Sequence, residues 1–158
     1  ADVITIGATD RIDGIARFSS RGPTADGRTK PDICFPGTDI IAARAAGTSM
    51  GRPLSDQYTA ASGTSMATPH ASGLAALLLQ AKPGITAQEV KKAMMDTALN
   101  LGQDPNAQGA GRAQAEQAYN AIKAGTPVEP PTEEPGNGGT PTQPKGCLPN
   151  FLIPIIGS

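Results

Sequence analysis

Short apolar runs and one long apolar run divide the first part of this chain into segments that are typical of strands and helices. The β-branched run at residues 3–8 and the run at residues 39–43 predict short strands that are buried on both faces. Residues 71–80 are small or apolar almost throughout, which predicts a helix surrounded by the core. Strands alternating with helices are consistent with an α/β domain, although they do not distinguish one α/β fold from another.

Two further helices are predicted from capping and periodicity. Thr86 and Glu89 have the spacing of a capping box, and Val90 begins an apolar series at helical spacing. Residues 112–124 carry a second amphipathic pattern, which stops at Gly125, a residue type that favours helix ends. Residues 101–111 between these helices are predicted to form a loop.

The composition changes at Gly125. Residues 125–146 are rich in Pro, Gly, Thr and Glu and nearly free of apolar residues, so we predict a linker or tail there. Residues 147–158 are apolar again but short and interrupted by proline, and their role stays open. The predicted organisation is therefore a domain over residues 1–124, a linker over 125–146 and a short apolar segment over 147–158.

Charge and cysteine content narrow the range of partners and sites. The formal net charge of −1 gives no reason to expect nucleic acid or a charged membrane surface, and no apolar stretch is long enough to span a bilayer. Cys34 lies in an apolar run, where a buried thiol is the ordinary expectation. We favour two free thiols at Cys34 and Cys147 over a single bridge, and a metal site from these cysteines and the single histidine is not expected.

The strongest chemical signal is the segment at residues 63–70, Gly-Thr-Ser-Met-Ala-Thr-Pro-His. It places Ser65 at or just before the N-terminus of the long apolar helix, where unpaired N–H groups and the helix dipole favour negative charge. A serine nucleophile needs an exposed oxygen and donors for a developing oxyanion. The alternative is a helix cap, because Ser and Thr are common capping residues.

A near repeat of this segment makes Ser49 a rival nucleophile. Residues 47–53 match residues 63–69 closely, but no apolar periodicity follows Pro53, whereas a long apolar run follows Pro69. The pattern therefore predicts that Ser49 lies in a loop and that Ser65 is the better candidate.

His70 is the single histidine of the chain and the obvious candidate base for Ser65. Five residues of α-helix separate two side chains by about 7.5 Å of rise and about 140° of rotation. The imidazole should therefore point away from the Ser65 hydroxyl. We interpret His70 as a structural, hydrogen-bonded residue inside the helix packing.

Residues 63–79 resemble the nucleophile segment of the subtilisin-like serine proteases, the subtilase family. The resemblance continues upstream at residues 3–8, 18–23, 30–33 and 36–38 and downstream at 109–112, and it covers roughly residues 1–124. It implies an α/β three-layer sandwich with a largely parallel sheet, of which this chain is the C-terminal half. It also implies that Ser65 is the catalytic nucleophile and that its backbone N–H is an oxyanion donor.

The same resemblance implies that the other catalytic residues lie elsewhere. In subtilases an aspartate, a histidine and an oxyanion-hole asparagine precede the serine, and no asparagine precedes Ser65 in this chain. We therefore expect a serine endopeptidase that cleaves polypeptide substrates through an acyl-enzyme, with the missing N-terminal half of the peptidase domain as its partner. The isolated chain should be inactive. The alternative is a non-catalytic structural or interaction module derived from the same fold.

Three further expectations concern chemistry and location. A lipase-like nucleophile elbow is excluded, because the segment around Ser65 lacks the second glycine of that motif. No cofactor is evident; subtilases often bind calcium, yet no acidic cluster here has suitable ligand spacing. A secreted or extracellular location is implied by the resemblance.

Overall fold

The computed structural model describes residues 3–125, which form five short strands and four helices. The strands are β1 (Ile6–Thr9), β2 (Ile33–Pro36), β3 (Ile40–Ala43), β4 (Arg52–Pro53) and β5 (Tyr58–Ala61). The helices are α1 (Thr64–Ala81), α2 (Ala87–Asp96), α3 (Pro105–Gln108) and α4 (Ala115–Ala124). The predicted linker beyond Gly125, the apolar segment 147–158 and Cys147 lie outside the described residues.

Strands β1 and β2 form a parallel pair at the centre of the core. Ile6 pairs with Ile33 and Thr9 with Pro36, and most of the residues between them are buried. A parallel pair covered on its faces requires apolar residues in consecutive positions, as both strands have. The first strand was predicted to begin at residue 3, but Val3 is 66% exposed and pairing starts only at Ile6.

The remaining strands form a separate antiparallel sheet in the order β3–β5–β4. The prediction that residues 39–43 form a strand is confirmed, but the prediction that this strand is buried is wrong, since Ile41 is 53% exposed. β3 is an edge strand that pairs with β5 alone among the described strands, so one side of it faces solvent. Burial in this sheet is concentrated in β5, at Thr59 and Ala60.

Helix α1 packs on the parallel pair through one face. Ala67, Ala71, Leu74 and Leu78 are buried against the core at the spacing of a single helical stripe. The prediction that the core surrounds this helix on all sides is wrong for the described residues. Leu77 is 49% exposed and Leu79 is 50% exposed. The described part of the chain therefore covers only one side of this apolar helix.

The capping signals correctly predict the start of α2 and the end of α4. The Thr86 side chain accepts a hydrogen bond from the Glu89 amide, and the Glu89 carboxylate accepts one from the Thr86 amide, which confirms the capping box. α4 ends at Gly125, whose φ of 66° is readily adopted by glycine. It begins at Ala115 rather than at Arg112, because the Arg112 backbone is paired with that of Leu99.

Cys34 is fully buried in β2 and is a free thiol, as predicted. Its Sγ lies 3.7 Å from the Ala107 carbonyl oxygen, and a Cβ at Gly7 would lie only 2.5 Å from that sulfur. Burial raises the pKa of the Cys34 thiol to about 11. Cys34 therefore acts as an unreactive packing residue in the folded chain.

A nearly buried carboxylate, Asp32, ties β1, β2 and α2 together. Its oxygens lie 2.7 Å from Lys30 Nζ, 2.9 Å from Lys91 Nζ and 2.7 Å from the Thr5 amide. Partial burial by itself raises the pKa of Asp32, but hydrogen bonds from Lys30, Thr5 and Lys91 outweigh it and lower the pKa well below its usual range. The cluster is a charged link between segments that lie far apart in sequence.

We predict that Asp32→Asn lowers the free energy of unfolding at pH 7 by about 2–3 kcal/mol, since hydrogen bonds to charged groups contribute about 1.5–3 kcal/mol and two ammonium groups lose their counter-charge. The pKa of Asp32 is lower in the folded state than in the unfolded state. The stability that the Asp32 carboxylate contributes is therefore fully present above the unfolded pKa of about 3.9, and it is lost progressively as the pH falls from there towards the folded pKa. Urea unfolding at pH 7 and pH 3 measures both effects.

The matched control is Asp26→Asn, which removes an exposed carboxylate paired with Arg28 at 2.8 Å and should change stability little. Equal losses in the two variants, or an Asp32→Asn protein with the same pH dependence as the wild type, would contradict this role of Asp32.

Candidate active site

The start of α1 is held at the carboxyl end of the parallel pair by two glycines. The Gly63 amide donates to the Gly37 carbonyl at 2.8 Å, and Gly37 directly follows β2. A Cβ at Gly37 would lie 2.7 Å from Ala8 Cβ and 2.8 Å from the Gly63 carbonyl oxygen, so a larger residue does not fit. The carboxyl ends of parallel strands are where open α/β sheets bind ligands, and α1 begins there.

The first turn of α1 leaves backbone donors free. Gly63 is the N-cap in an extended conformation, and no side chain caps the helix. The Met66 amide donates to the Gly63 carbonyl at 2.9 Å, whereas the amides of Thr64 and Ser65 have no hydrogen-bond partner among the described residues. These N–H groups and the helix dipole make the position favourable for a developing negative charge.

Ser65 is the second residue of α1, which confirms the predicted position at the helix start. It is exposed, and its hydroxyl has no hydrogen-bond partner within residues 3–125. Thr68 behaves differently in the same helix, since its hydroxyl donates to the Thr64 carbonyl at 2.9 Å. Ser65 therefore does not cap the helix, and its hydroxyl is accessible from solvent.

The ring of His70 is held against its own helix. Nδ1 lies 2.9 Å from the Met66 carbonyl oxygen, which can only accept, so Nδ1 carries the proton. The prediction that His70 is hydrogen-bonded is confirmed, but the prediction that it lies inside the helix packing is wrong, because it is exposed. The described helix face around His70 is uncovered, and no hydrogen bond joins His70 to Ser65 in the described part of the chain.

Ser49 lies in the loop between β3 and β4, as predicted, and is exposed. The loop is shaped by local hydrogen bonds, in which the Arg44 guanidinium donates to the Thr48 carbonyl at 2.9 Å and the Thr48 hydroxyl to the Ala45 carbonyl at 2.8 Å. Among the described residues, no helix begins beside Ser49, in contrast to Ser65.

Two cavities flank the start of α1, and both are lined by Ser65 and Met66. The first, of about 610 Å³, is mainly apolar and is lined further by β2, β3 and α1 residues, including Phe35, Ile40, His70, Gly73, Leu74 and Leu77. The second, of about 470 Å³, is more polar and is lined by Asp39, Arg52 and Ser62 among others. The two cavities make Ser65 accessible from two directions.

Sequence reasoning missed the two charged residues of the second cavity. Asp39 and Arg52 lie 13 positions apart in the sequence and come to one cavity only because β3 and β4 pair with opposite sides of β5. β4 has only two residues and carries little signal, so its pairing with β5 was not predictable from local pattern.

The described residues contain neither a metal-binding cluster nor a membrane-spanning helix. Residues 3–125 contain no group of three or more His, Cys, Asp or Glu side chains placed to hold a metal ion. Within the same residues, no helix has both the length and the apolar character needed to cross a membrane.

Comparison with known proteins connects this geometry to a family. The subtilase family model matches residues 1–111. The chain is 43% identical over 129 residues to the serine protease AprX of Bacillus subtilis, covering 73% of this chain and 29% of AprX. It is 41% identical over 128 residues to the minor extracellular protease Vpr of the same organism, covering 73% of this chain and 14% of Vpr. The chain thus spans less than a third of these relatives.

Solved structures agree with the sequence comparison. A protease from Pseudoalteromonas arctica superposes with a TM-score of 0.65 at 29% identity, covering 77% of this chain and 36% of that one. A mutant of the protease domain of PatA gives a TM-score of 0.61 at 32% identity, covering 80% of this chain and 42% of that one. The α/β fold is therefore that of subtilisin-like protease domains, and the chain belongs to the subtilase family of serine proteases.

Proposed function

We propose that Ser65 is the nucleophile of a serine endopeptidase that cleaves polypeptides through an acyl-enzyme. The observation that supports this best is that the Ser65 hydroxyl is exposed and makes no hydrogen bond within the described residues. It lies beside the amides of Thr64 and Ser65, which are also without hydrogen-bond partners there. Attack by Ser65 Oγ on a peptide carbonyl would form an ester to the acyl part and release the amine, and water would then hydrolyse the ester. The Ser65 N–H is the proposed donor to the oxyanion.

The base for Ser65 is proposed to come from outside this chain. Serine at neutral pH is a weak nucleophile and needs a positioned base, usually a histidine. The single histidine of the sequence donates Nδ1–H to its own helix and has no hydrogen bond to Ser65 in the described part. We therefore propose that residues 1–124 are the C-terminal part of a peptidase domain and that the isolated chain does not turn over substrate.

The uncovered side of α1 is the proposed contact surface for the rest of that domain. Leu77 is half exposed and, with Leu74 and Ile40, lines the apolar cavity of about 610 Å³ beside Ser65. An apolar cavity of this size at a helix centre is typical of a surface that another part of a protein covers. The relatives named above are also at least three times longer than the matched region.

The partners and location follow from the same proposal. The substrates are polypeptides, and the second partner is the N-terminal half of the peptidase domain. Relatives are described as extracellular, among them Vpr and a halolysin-like protease of Natrialba magadii, so we propose a secreted or extracellular location.

A fluorophosphonate probe tests the nucleophile directly, because it forms a stable phosphonyl ester only with an activated serine. In the complete protease containing this chain, we expect labelling at Ser65, loss of labelling in Ser65→Ala, and full labelling in Ser49→Ala. The 158-residue chain alone should label at least 1,000-fold more slowly, because loss of the base removes most of the rate enhancement. Peptide mapping by mass spectrometry identifies the labelled residue.

Stability measurements separate loss of chemistry from loss of structure. Ser65→Ala should change the free energy of unfolding by less than about 0.5 kcal/mol, as expected at an exposed position without partners. Thr86→Ala, which removes the capping box of α2, should cost about 1 kcal/mol. A folded complete protease labelled at Ser49, or not labelled at all, would refute the proposed nucleophile and favour a non-catalytic module.

Leu77→Asp tests whether the uncovered face is an internal contact of the complete domain. In the 158-residue chain, Leu77 is half exposed and the variant should unfold with nearly the wild-type free energy. In the complete protease the same change should cost more than about 3 kcal/mol, because it buries an unpaired charge. Leu79→Asp is the matched control, since Leu79 is equally exposed but does not line the cavity. Equal effects of Leu77→Asp in both contexts would contradict the proposal.

A further inference from the structure

The polar cavity beside Ser65 carries two charges that the catalytic proposal does not use. This cavity, of about 470 Å³, is lined by Ser65 and Met66 on one side and by Asp39 and Arg52 on the others. A group bound there would lie next to the hydroxyl that reacts. The charged residues are therefore placed to act on whatever part of a substrate occupies the cavity.

The two charges lie on opposite rims. Asp39 directly precedes Ile40, which pairs with Ala61 of β5, whereas Arg52 of β4 pairs with Ala60 on the other side of β5. β5 lies between β3 and β4, so the backbones of Asp39 and Arg52 are two strand spacings apart across the sheet and also offset along it, at least about 10 Å in all. Within residues 3–125 no ion pair or hydrogen bond joins the two side chains, so neither charge neutralises the other by direct contact.

The backbone holds both residues in place. The Asp39 amide donates to Ser62 Oγ at 2.9 Å, and its φ of 50° is a conformation that few non-glycine residues adopt. On the other rim, Gly51 has a φ of 76° and a Cβ there would lie 2.6 Å from the Ala60 carbonyl oxygen. This close approach fixes the short strand β4, and with it the Arg52 backbone, against β5.

The side chains themselves are free to bind a ligand. Neither the Asp39 carboxylate nor the Arg52 guanidinium makes an ion pair or hydrogen bond with any other residue in the range 3–125. Two other arginines form ion pairs instead, Arg28 with Asp26 at 2.8 Å and Arg112 with Asp13 at 2.6 Å. A guanidinium offers donors in a planar fork that matches a carboxylate in two parallel hydrogen bonds.

We propose that this cavity is a charge-selective substrate subsite next to the scissile bond, in which Arg52 binds an acidic side chain of the substrate. Asp39 binds a basic side chain at the opposite rim, about three residues away along an extended peptide, given about 3.3 Å per residue. This inference rests on the proposed role of Ser65 and adds to it a preference for polypeptides with opposite charges near the cleavage point.

The test is the cleavage of a peptide library by the complete protease, with acidic, basic and neutral residues varied on both sides of the cleaved bond. The wild type should prefer peptides with an acidic residue at one position. Arg52→Glu should lower kcat/KM for these acidic peptides about three- to tenfold, and it should raise kcat/KM for peptides with lysine at the same position. This magnitude is expected for a charge pair that stays partly solvated. Arg52→Gln should abolish the preference without inverting it.

A second variant and a matched control complete the design. The wild type should also prefer a basic residue about three positions from the acidic one. Asp39→Lys should invert this preference for a basic residue and leave the preference for the acidic residue that Arg52 binds unchanged. Arg11→Glu makes the same change of charge in the exposed turn after β1, outside the cavity, and should leave selectivity unchanged. A preference for an acidic residue on either side of the cleaved bond supports the proposal. The side on which this preference is found shows whether the cavity binds the acyl part or the leaving group of the substrate.

Two negative outcomes have different meanings. If wild-type Ser65 is labelled by the fluorophosphonate probe but Arg52→Glu cleaves the library with wild-type selectivity, the subsite is refuted and the nucleophile stands. If Ser65 of the folded wild type is not labelled, both the nucleophile and the subsite are refuted.

Discussion

The hydrogen bond between the Gly63 amide and the Gly37 carbonyl is the contact on which the arrangement of the site depends. It joins the carboxyl end of a buried parallel strand to the first turn of α1, and only residues without a side chain allow the two backbones to approach so closely at Gly37. Residues 33–35 of that strand are buried, so the contact anchors the helix start to the core. Ser65, two residues later, is therefore positioned by the core rather than by a surface loop.

The two cavities beside the start of α1 differ in character because different elements line them. On one side of the α1 start, the core strands and the helix leave an apolar cavity. On the other side, the antiparallel sheet β3–β5–β4 adds short strands whose exposed residues include charges. Exposed loop and edge-strand residues tolerate sequence change better than buried ones, so the second cavity has the more variable lining of the two.

Helices α1, α2 and α4 and the position of Ser65 at a helix start were predictable because their signals are local, whereas α3 lies within residues 101–111, where the prediction of a loop was wrong. The capping box at Thr86, the helix end at Gly125 and the position of Ser65 each depend on a few neighbouring residues, and all three agree with the structure. Ser49 was separated from Ser65 in the same way, by the residues that follow it. Family resemblance supplied the fold class, which the short strands of this chain do not carry by themselves.

The features that escaped prediction depend on residues far apart in sequence. Lys91 reaches Asp32 across 59 positions, and no local pattern records such a pair. The exposure of His70 and Leu77 was missed for a different reason. The apolar run of α1 indicates that several sides of the helix are suited to burial. It does not indicate whether the residues that cover each side belong to the described part of the chain, so the exposure of these two residues did not follow from it.

The half-covered helix α1 has a thermodynamic consequence. When this chain is separate from the part that covers it, a partner that binds the apolar face only when α1 is folded stabilises the folded chain in proportion to the logarithm of the partner's concentration. The melting temperature and the integrity of the Ser65 environment would then vary together with the amount of partner, as in an obligate complex. When folding and partner binding are coupled in this way, a substitution far from Ser65 can reduce activity by weakening the contact between the partner and the apolar face of α1.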